Sequence, residues 1–225
     1  MNFKTIFCGL AAALILGNAQ AADTGLKGEK EKFSYAIGFQ IGQSFKRDGM
    51  DVDADTMAQA IKDVLQGGTL KMSMDEMRAA VEGAQKKQQE IRQARAQEAK
   101  DKGKAFLAEN KKKPGVIELP SGLQYKIIKS GTGKQPTADG SVTAHYRGAL
   151  INGDEFDSSY QRGEPATFST KQVIPGWREI LPMMHEGDKW QVFIPAELAY
   201  GEQGAGGKIG PNETLVFDIE LIKVN

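Results

Sequence analysis

The sequence is poor in the residues that carry most covalent and metal chemistry. It has one cysteine, Cys8, and two histidines, His145 and His185, in 225 residues. One cysteine forms no intrachain disulfide, and two histidines are too few for a histidine-rich metal site. Net charge is lacking as well. The 29 Lys and Arg balance 29 Asp and Glu, which argues against nucleic-acid binding over the whole surface. No apolar run reaches the ~20 residues that a spanning helix requires. The apolar stretch at residues 6–16 follows Lys4 and precedes Ala19-Gln20-Ala21. A basic start, a short apolar core and a small-x-small site are the parts of an export signal, here cleaved after Ala21. Cys8 would leave with it. The exported chain is therefore expected to be soluble, without stable membrane insertion, and periplasmic if the source is Gram-negative.

What is present is an ordinary globular composition, 40% hydrophobic and 26% charged, which excludes a wholly disordered chain. Charge divides it into three. Residues 22–73 carry 7 basic and 8 acidic groups, residues 74–113 carry 11 and 7, and residues 114–225 carry 10 and 14. The nets are −1, +4 and −4. Two folded parts joined by a basic spacer are expected. Acidic residues interleave with the basic ones, so the spacer is not expected to bind nucleic acid or anionic membrane.

Ser73-Met74-Asp75-Glu76 is a capping box, and no Pro follows until Pro114. The residues between are mostly strong helix formers, with Glu82/Lys86 and Glu98/Lys102 at favourable i,i+4 spacing. A helix over 74–113 would span about 60 Å. Its apolar stripe (Met77, Val81, Ala84, Ile91) is thin, so it reads as an exposed bridge, with Gly83 and Gly103 as weak points. Before it, Phe33, Ile37, Ile41 and Phe45 recur every four residues, and Tyr35 and Phe39 flank them. A second helix runs from Asp53 or Asp55 to Gln66. About fifty residues bury too little surface alone, and apolar residues on more than one face need a partner. A homodimer through residues 22–91 meets both needs. Asp51-Val52-Asp53-Ala54-Asp55 resembles the start of a calcium loop. However, Thr56 stands where that loop needs Gly and Lys62 where it needs Glu, so helix capping is expected.

From Gly122 the pattern turns to alternation. Residues 122–129, 141–151, 189–195 and 213–224 read as strands, with Asn152-Gly153 as a hairpin turn. Pro175 opens a short helix. The fold class is α+β: a helical N-terminal part, a long helix, then a curved antiparallel sheet wrapping a short helix. The usual catalytic patterns fail here. There is no nucleophile elbow, and the Gly-rich residues 201–210 do not match a phosphate loop. Asp154, Glu155 and Asp157 read as solvated turn charges. What remains is aromatic: ten of 17 aromatics lie beyond residue 120. That supply suits binding and conformational chemistry better than bond cleavage.

The strings Val173-Ile174-Pro175-Gly176-Trp177, Phe156-Asp157-Ser158-Ser159, Ala199-Tyr200-Gly201 and Thr214-Leu215-Val216-Phe217-Asp218 carry a resemblance. In order and spacing they resemble an FKBP-type peptidyl-prolyl isomerase over residues 118–225. The whole layout (signal, dimerisation helices, long helix, C-terminal FKBP-like domain) resembles the exported Mip/FkpA group. Domain boundaries follow: signal 1–21, dimerisation 22–73, linker helix 74–113, isomerase 114–225. The resemblance implies catalytic roles for Asp157, Tyr200, Trp177, Phe156, Phe217 and Ile174, and substrate contacts for Tyr146, Arg162, Phe168, Val173 and Ile209. Trp177 would be the floor, Asp157 would pair with Arg162 at the rim, and Ile209 would sit on the loop over the pocket. It implies no metal and no cofactor. The substrate would be an X-Pro segment of an unfolded or flexible polypeptide, and macrolides such as rapamycin would be ligands. Two departures stand out. Ala166 replaces an aromatic, and Ala205 replaces a common flap histidine, so no mechanism through that histidine operates here. The competing class is a dimeric chaperone in which isomerisation is secondary.

Overall fold

The structure, a computed structural model, describes residues 25–225; the export signal and its cleavage site lie outside the described residues. Two units divide after Gly49. The first holds helix α1 (Glu29–Asp48). Glu29 and Glu31 lie in its first turn and Lys46 and Arg47 in its last, each favourable to the helix dipole. Gly49, at φ 64°, closes it in the left-handed conformation that glycine adopts without strain. Phe33, Tyr35, Ile37 and Phe39 are exposed on this helix.

The second unit begins with α2 (Ala54–Leu65) and α3 (Met74–Asn110). The Thr56 N–H donates to Asp53 Oδ1 at 2.7 Å, so the acidic run caps a helix. Ser73 and Glu76 form the expected box: the Glu76 N–H donates to Ser73 Oγ and the Ser73 N–H to Glu76 Oε2. The 37 residues of α3 run without interruption at Gly83 or Gly103.

The expected exposed bridge needs correction over the last part of α3. There the helix lies on the sheet, with Ala99, Gly103 and Asn110 buried. The Phe106 ring meets Phe193 at 5.9 Å. Gly103 abuts the side chain of Thr214, where a Cβ would collide. The glycine that reads as a weak point is thus a point of close approach. Asn110 Nδ2 donates to Gln124 Oε1 at 3.0 Å, and Gln124 Nε2 donates to the Leu107 carbonyl and to Glu118 Oε2. Gln124 thereby ties the sheet to the last turn of α3, adding a second donor to the Leu107 carbonyl, which also accepts from the Lys111 N–H at 3.1 Å.

The strands are β1 (Val116–Glu118), β2 (Gln124–Lys129), β3 (Ser141–Leu150), β4 (Glu155–Ser158), β5 (Ala166–Ser169), β6 (Lys189–Ile194) and β7 (Leu215–Val224). They form one antiparallel sheet in the order β1-β2-β6-β7-β3-β4, with β5 also on β3. Alternation puts Val142, Ala144 and Tyr146 of β3, and Leu215, Phe217, Ile219 and Leu221 of β7, into the core. Along its other edge β3 pairs first with β5 and then with β4. Between those two strands the chain leaves the sheet as α4 (Ser159–Arg162). Helix α5 (Pro175–Ile180), with Pro at its start, buries Trp177 and Ile180 in the sheet's concave core. Trp190 and Phe193 are buried residues of β6.

Candidate active site

Strand β3 sets the site through its two-residue period. Tyr146 and Gly148 point to the core side, while Arg147 points out and pairs with Glu155 at 2.6 Å. Gly148 has no side chain because two rings occupy its place. A Cβ there would meet the rings of Phe156 and Phe217 at 2.6 and 2.7 Å. The β3–β4 register places Asp157 opposite Gly148, beside a bulge at Gly148/Ala149. Bulges re-aim side chains, and this one stands next to the rim.

Trp177 is the hub of the floor and is 3% exposed. Tyr146, Phe168 and Phe217 meet it at centroid distances of 5.6, 5.1 and 5.4 Å, all edge to face. Phe156 meets Phe217 the same way at 5.6 Å. Edge-to-face pairs are favoured by the ring quadrupoles, so the rings brace one another around a space instead of filling it. That space is a cavity of about 290 Å³ lined by Tyr146, Phe156, Asp157, Phe168, Gln172, Val173, Ile174, Trp177, Tyr200 and Phe217. The Trp177 Nε1–H is buried with no protein partner.

The polar groups gather at one edge. Asp157 accepts from the Tyr146 hydroxyl and from Arg162 Nη1 at 2.5 Å. Arg162 Nη2 donates to the Tyr146 hydroxyl at 2.8 Å, and its guanidinium lies 5.4 Å from the ring. Burial by itself would push the Asp157 carboxyl up. The hydrogen bonds from Tyr146 and Arg162, with the guanidinium charge, outweigh it and hold the carboxyl below its ordinary value. Burial first, then the bond to Asp157, pushes the Tyr146 hydroxyl up. Burial and the Asp157 charge do the same to Tyr200. Among the described residues no hydrogen bond engages the Tyr200 hydroxyl, and the residue is 39% exposed.

Nine of the eleven residues singled out from the sequence therefore line one cavity. Arg162 stands behind Asp157 at the rim. Ile209 is 8% exposed and belongs to the hydrophobic core beneath its loop, not to the cavity lining. Gln172 lines the cavity and escaped the sequence reading; its place just before Val173-Ile174 is the signal that could have found it. Ala166 is half-buried against the core and adds no wall. Asp154 is a turn residue bonded to Asn152. His145 stacks on Tyr160 at 4.6 Å, away from the cavity.

Comparison with known proteins points to one family. Residues 132–222 match the family model described as FKBP-type peptidyl-prolyl cis-trans isomerase. Residues 30–127 match the domain amino terminal to FKBP-type peptidyl-prolyl isomerase. The Legionella longbeachae protein named outer membrane protein MIP is 46% identical over 230 residues, 100% of this chain and 98% of its own length. The peptidyl-prolyl cis-trans isomerase Mip of Coxiella burnetii is 44% identical over 219 residues, 96% and 95% of the two chains. The crystal structure of FkpA from Escherichia coli superposes with a TM-score of 0.65 at 34% identity, covering 89% of this chain and 98% of that one. The isomerase name in these matches favours catalysis over the competing chaperone reading. With family models over both halves and relatives matched along nearly their whole length, the chain belongs to the FKBP-type peptidyl-prolyl cis-trans isomerases.

Proposed function

We propose that the prolyl ring of the substrate enters the aromatic cavity, with Trp177 as floor and Tyr146, Phe156, Phe168, Val173, Ile174 and Phe217 as walls. The observation that carries this reading is the 290 Å³ cavity itself, framed by edge-to-face rings. The Tyr200 hydroxyl donates to a substrate carbonyl, and the Ile174 N–H, just before α5, donates a second bond. Asp157, kept ionised by Tyr146 and Arg162, holds the polar rim in place. Ile209 steadies the loop after Tyr200 from the core side.

The reaction needs no more than this. Rotation about a peptide bond has a barrier of ~18–20 kcal/mol because C–N resonance is lost. The twisted amide is less dipolar than the planar one. A dry aromatic site therefore binds it better than it binds the planar, well-solvated ground state. A thousandfold acceleration needs about 4 kcal/mol, within reach of such a site and one or two placed hydrogen bonds.

The same reading extends to the whole chain: export with cleavage after Ala21, action on unfolded X-Pro segments in the periplasm, and the domain division 22–73, 74–113 and 114–225. A homodimer through residues 22–91 is supported by the large apolar side chains exposed on the helices, including Phe33, Phe39, Val64 and Leu65. One relative is named an outer membrane protein, and among the described residues no helix is long and apolar enough to cross a membrane. Rapamycin-type macrolides are expected to bind the same cavity. The test is isomerisation of a short X-Pro peptide by the mature chain and by its Asp157→Ala and Trp177→Ala variants. Fast exchange lost in both variants supports the site. Full exchange in folded Trp177→Ala refutes it.

A further inference from the structure

The loop that follows Tyr200 is rich in glycine at positive φ: Gly201, Gly204, Gly206 and Gly207. Such a segment has much conformational freedom to lose, yet it is tied at several points. The Asn212 N–H donates to the Gly201 carbonyl at 2.8 Å and closes the loop at its base. Ala205 and Ile209 exchange two backbone bonds at 2.9 and 3.0 Å. Lys208 Nζ reaches the Phe156 carbonyl at 3.2 Å, on the cavity wall opposite.

Two further ties come from outside the sheet, from α3. Arg92 Nη2 donates to the Gln203 carbonyl at 3.3 Å. Asn212 Nδ2 donates to the Ala96 carbonyl, one turn further along the helix, also at 3.3 Å. Asn212 has φ 58° and is the one non-glycine residue at positive φ among the described residues. Asn tolerates that conformation better than most side chains, and here it combines the loop-closing N–H with the side-chain bond to the helix. Otherwise helix and loop border a polar cleft of about 650 Å³, lined by Gln89, Gln93, Gln97, Glu202 and others. The contact is a clip at two points, not a packed interface.

We propose that α3 positions the active-site loop, with Arg92 and Asn212 as positioning residues, so that the catalytic unit reaches back along the helix to about residue 92. The inference rests on the reading of Tyr200 as a substrate-binding donor. The clip holds the loop near its two ends, at Gln203 and Asn212, and Tyr200 stands three residues before the first of them. Loosening it frees the Tyr200 hydroxyl to wander and weakens substrate capture, with the aromatic floor intact.

The experiment uses the full chain and four variants: Arg92→Ala, Asn212→Gly, the double variant and Arg92→Lys. Glycine at 212 is compatible with the left-handed backbone and removes the side chain that carries the amide. Lysine at 92 keeps a donor. Amide hydrogen exchange and peptide isomerisation kinetics are measured on each. At roughly fivefold per hydrogen bond, the double variant is expected to exchange at Ala205 and Ile209 about tenfold faster or more. The amides of β3 and β7 keep their wild-type rates. kcat/KM for the X-Pro peptide falls about three- to tenfold, as loss of transition-state stabilisation relative to free enzyme and substrate requires, and Arg92→Lys recovers part of the effect. Unchanged exchange at Ala205 and Ile209 overturns the proposal. So does faster loop exchange with wild-type kinetics, or exchange that accelerates equally in β3 and β7, which marks general destabilisation. An inactive wild type would overturn the reading of the site and, with it, the catalytic role of the clip; loop exchange would then decide whether the clip itself exists.

Discussion

Replacing Tyr146 with Phe removes one oxygen from the rim and leaves the ring. The ring keeps its edge contacts with Phe168 and Trp177 at 5.4 and 5.6 Å, and the guanidinium of Arg162 over its face. No cavity opens, so the cost is polar. Asp157 loses the hydroxyl that donates to Oδ2, and Arg162 Nη2 loses an acceptor at 2.8 Å. Hydrogen bonds to charged groups are worth about 1.5–3 kcal/mol. Here the Asp157 and Arg162 side chains are 45% and 46% exposed, so water replaces part of what is lost and about 1 kcal/mol is expected. The loss depends on pH in a definite direction. The folded state holds the Asp157 carboxyl below its ordinary value of 3.8. The stability from this cluster is therefore fully present above 3.8 and fades as pH falls through the folded value. Urea denaturation should show the variant destabilised by about 1 kcal/mol at pH 7 and by clearly less near pH 3. Peptide isomerisation should fall only a few fold, since the floor is untouched and Arg162 still holds Asp157. Equal destabilisation at both pH values would refute the coupling of Tyr146 to an ionised Asp157. Complete loss of activity in a folded variant would refute the assignment of Tyr146 as a wall.

Gly148→Ala places a methyl against the rings of Phe156 and Phe217; calorimetry should show a loss of about 1–3 kcal/mol, and peptide kinetics a larger proportional loss, because those rings are cavity walls. Gly103→Ala drives a Cβ into Thr214, which is 3% exposed; a stability loss of similar size is expected, with faster amide exchange around Thr214. Gln124→Leu leaves Asn110 Nδ2 without its buried acceptor and removes the side-chain tie to the Leu107 carbonyl; a cost of about 1–3 kcal/mol should appear in denaturant unfolding with little change in KM. The proposed homodimer should dissociate in Phe33→Glu with Phe39→Glu, read as a monomer mass in sedimentation equilibrium, with short-peptide isomerisation left as it was.

Long elements with one buried face were the most legible from the sequence. Residues 141–151 and 213–224 read as strands because Val142, Ala144 and Tyr146, or Leu215, Phe217, Ile219 and Leu221, alternate with polar neighbours. β1, β4 and β5 have three or four residues each, too few for a period to declare itself. Docking of α3 left little trace in its hydrophobic pattern because, Phe106 apart, the contact is made by residues that pattern analysis discounts: a glycine, an alanine, and Asn110 paired with Gln124. The cavity was legible through the resemblance carried by Val173–Trp177 and Phe156–Asp157, since no periodicity distinguishes an aromatic that lines a space from one that fills a core. Gln172 went unread for the same reason in reverse. A lone polar residue between a turn and a helix signals solvent exposure, and Gln172 is indeed exposed.

One strand couples the two halves of the chemistry. Tyr146 supplies from a single side chain both an apolar wall against Trp177 and the hydroxyl that ties Asp157 to Arg162. Two residues on, Gly148 leaves room for Phe156 and Phe217 to close the far side, and its register partner is Asp157. The strand period therefore fixes how far the charged edge stands from the dry floor. That spacing suits a reaction whose transition state is an amide of reduced dipole. The ring beyond the amide wants an apolar floor, and the carbonyl beside it wants a donor at the mouth. The required ~4 kcal/mol is spread over many weak contacts. Activity should therefore respond in graded steps to changes in the walls, and most sharply to changes that shift the edge and the floor relative to each other.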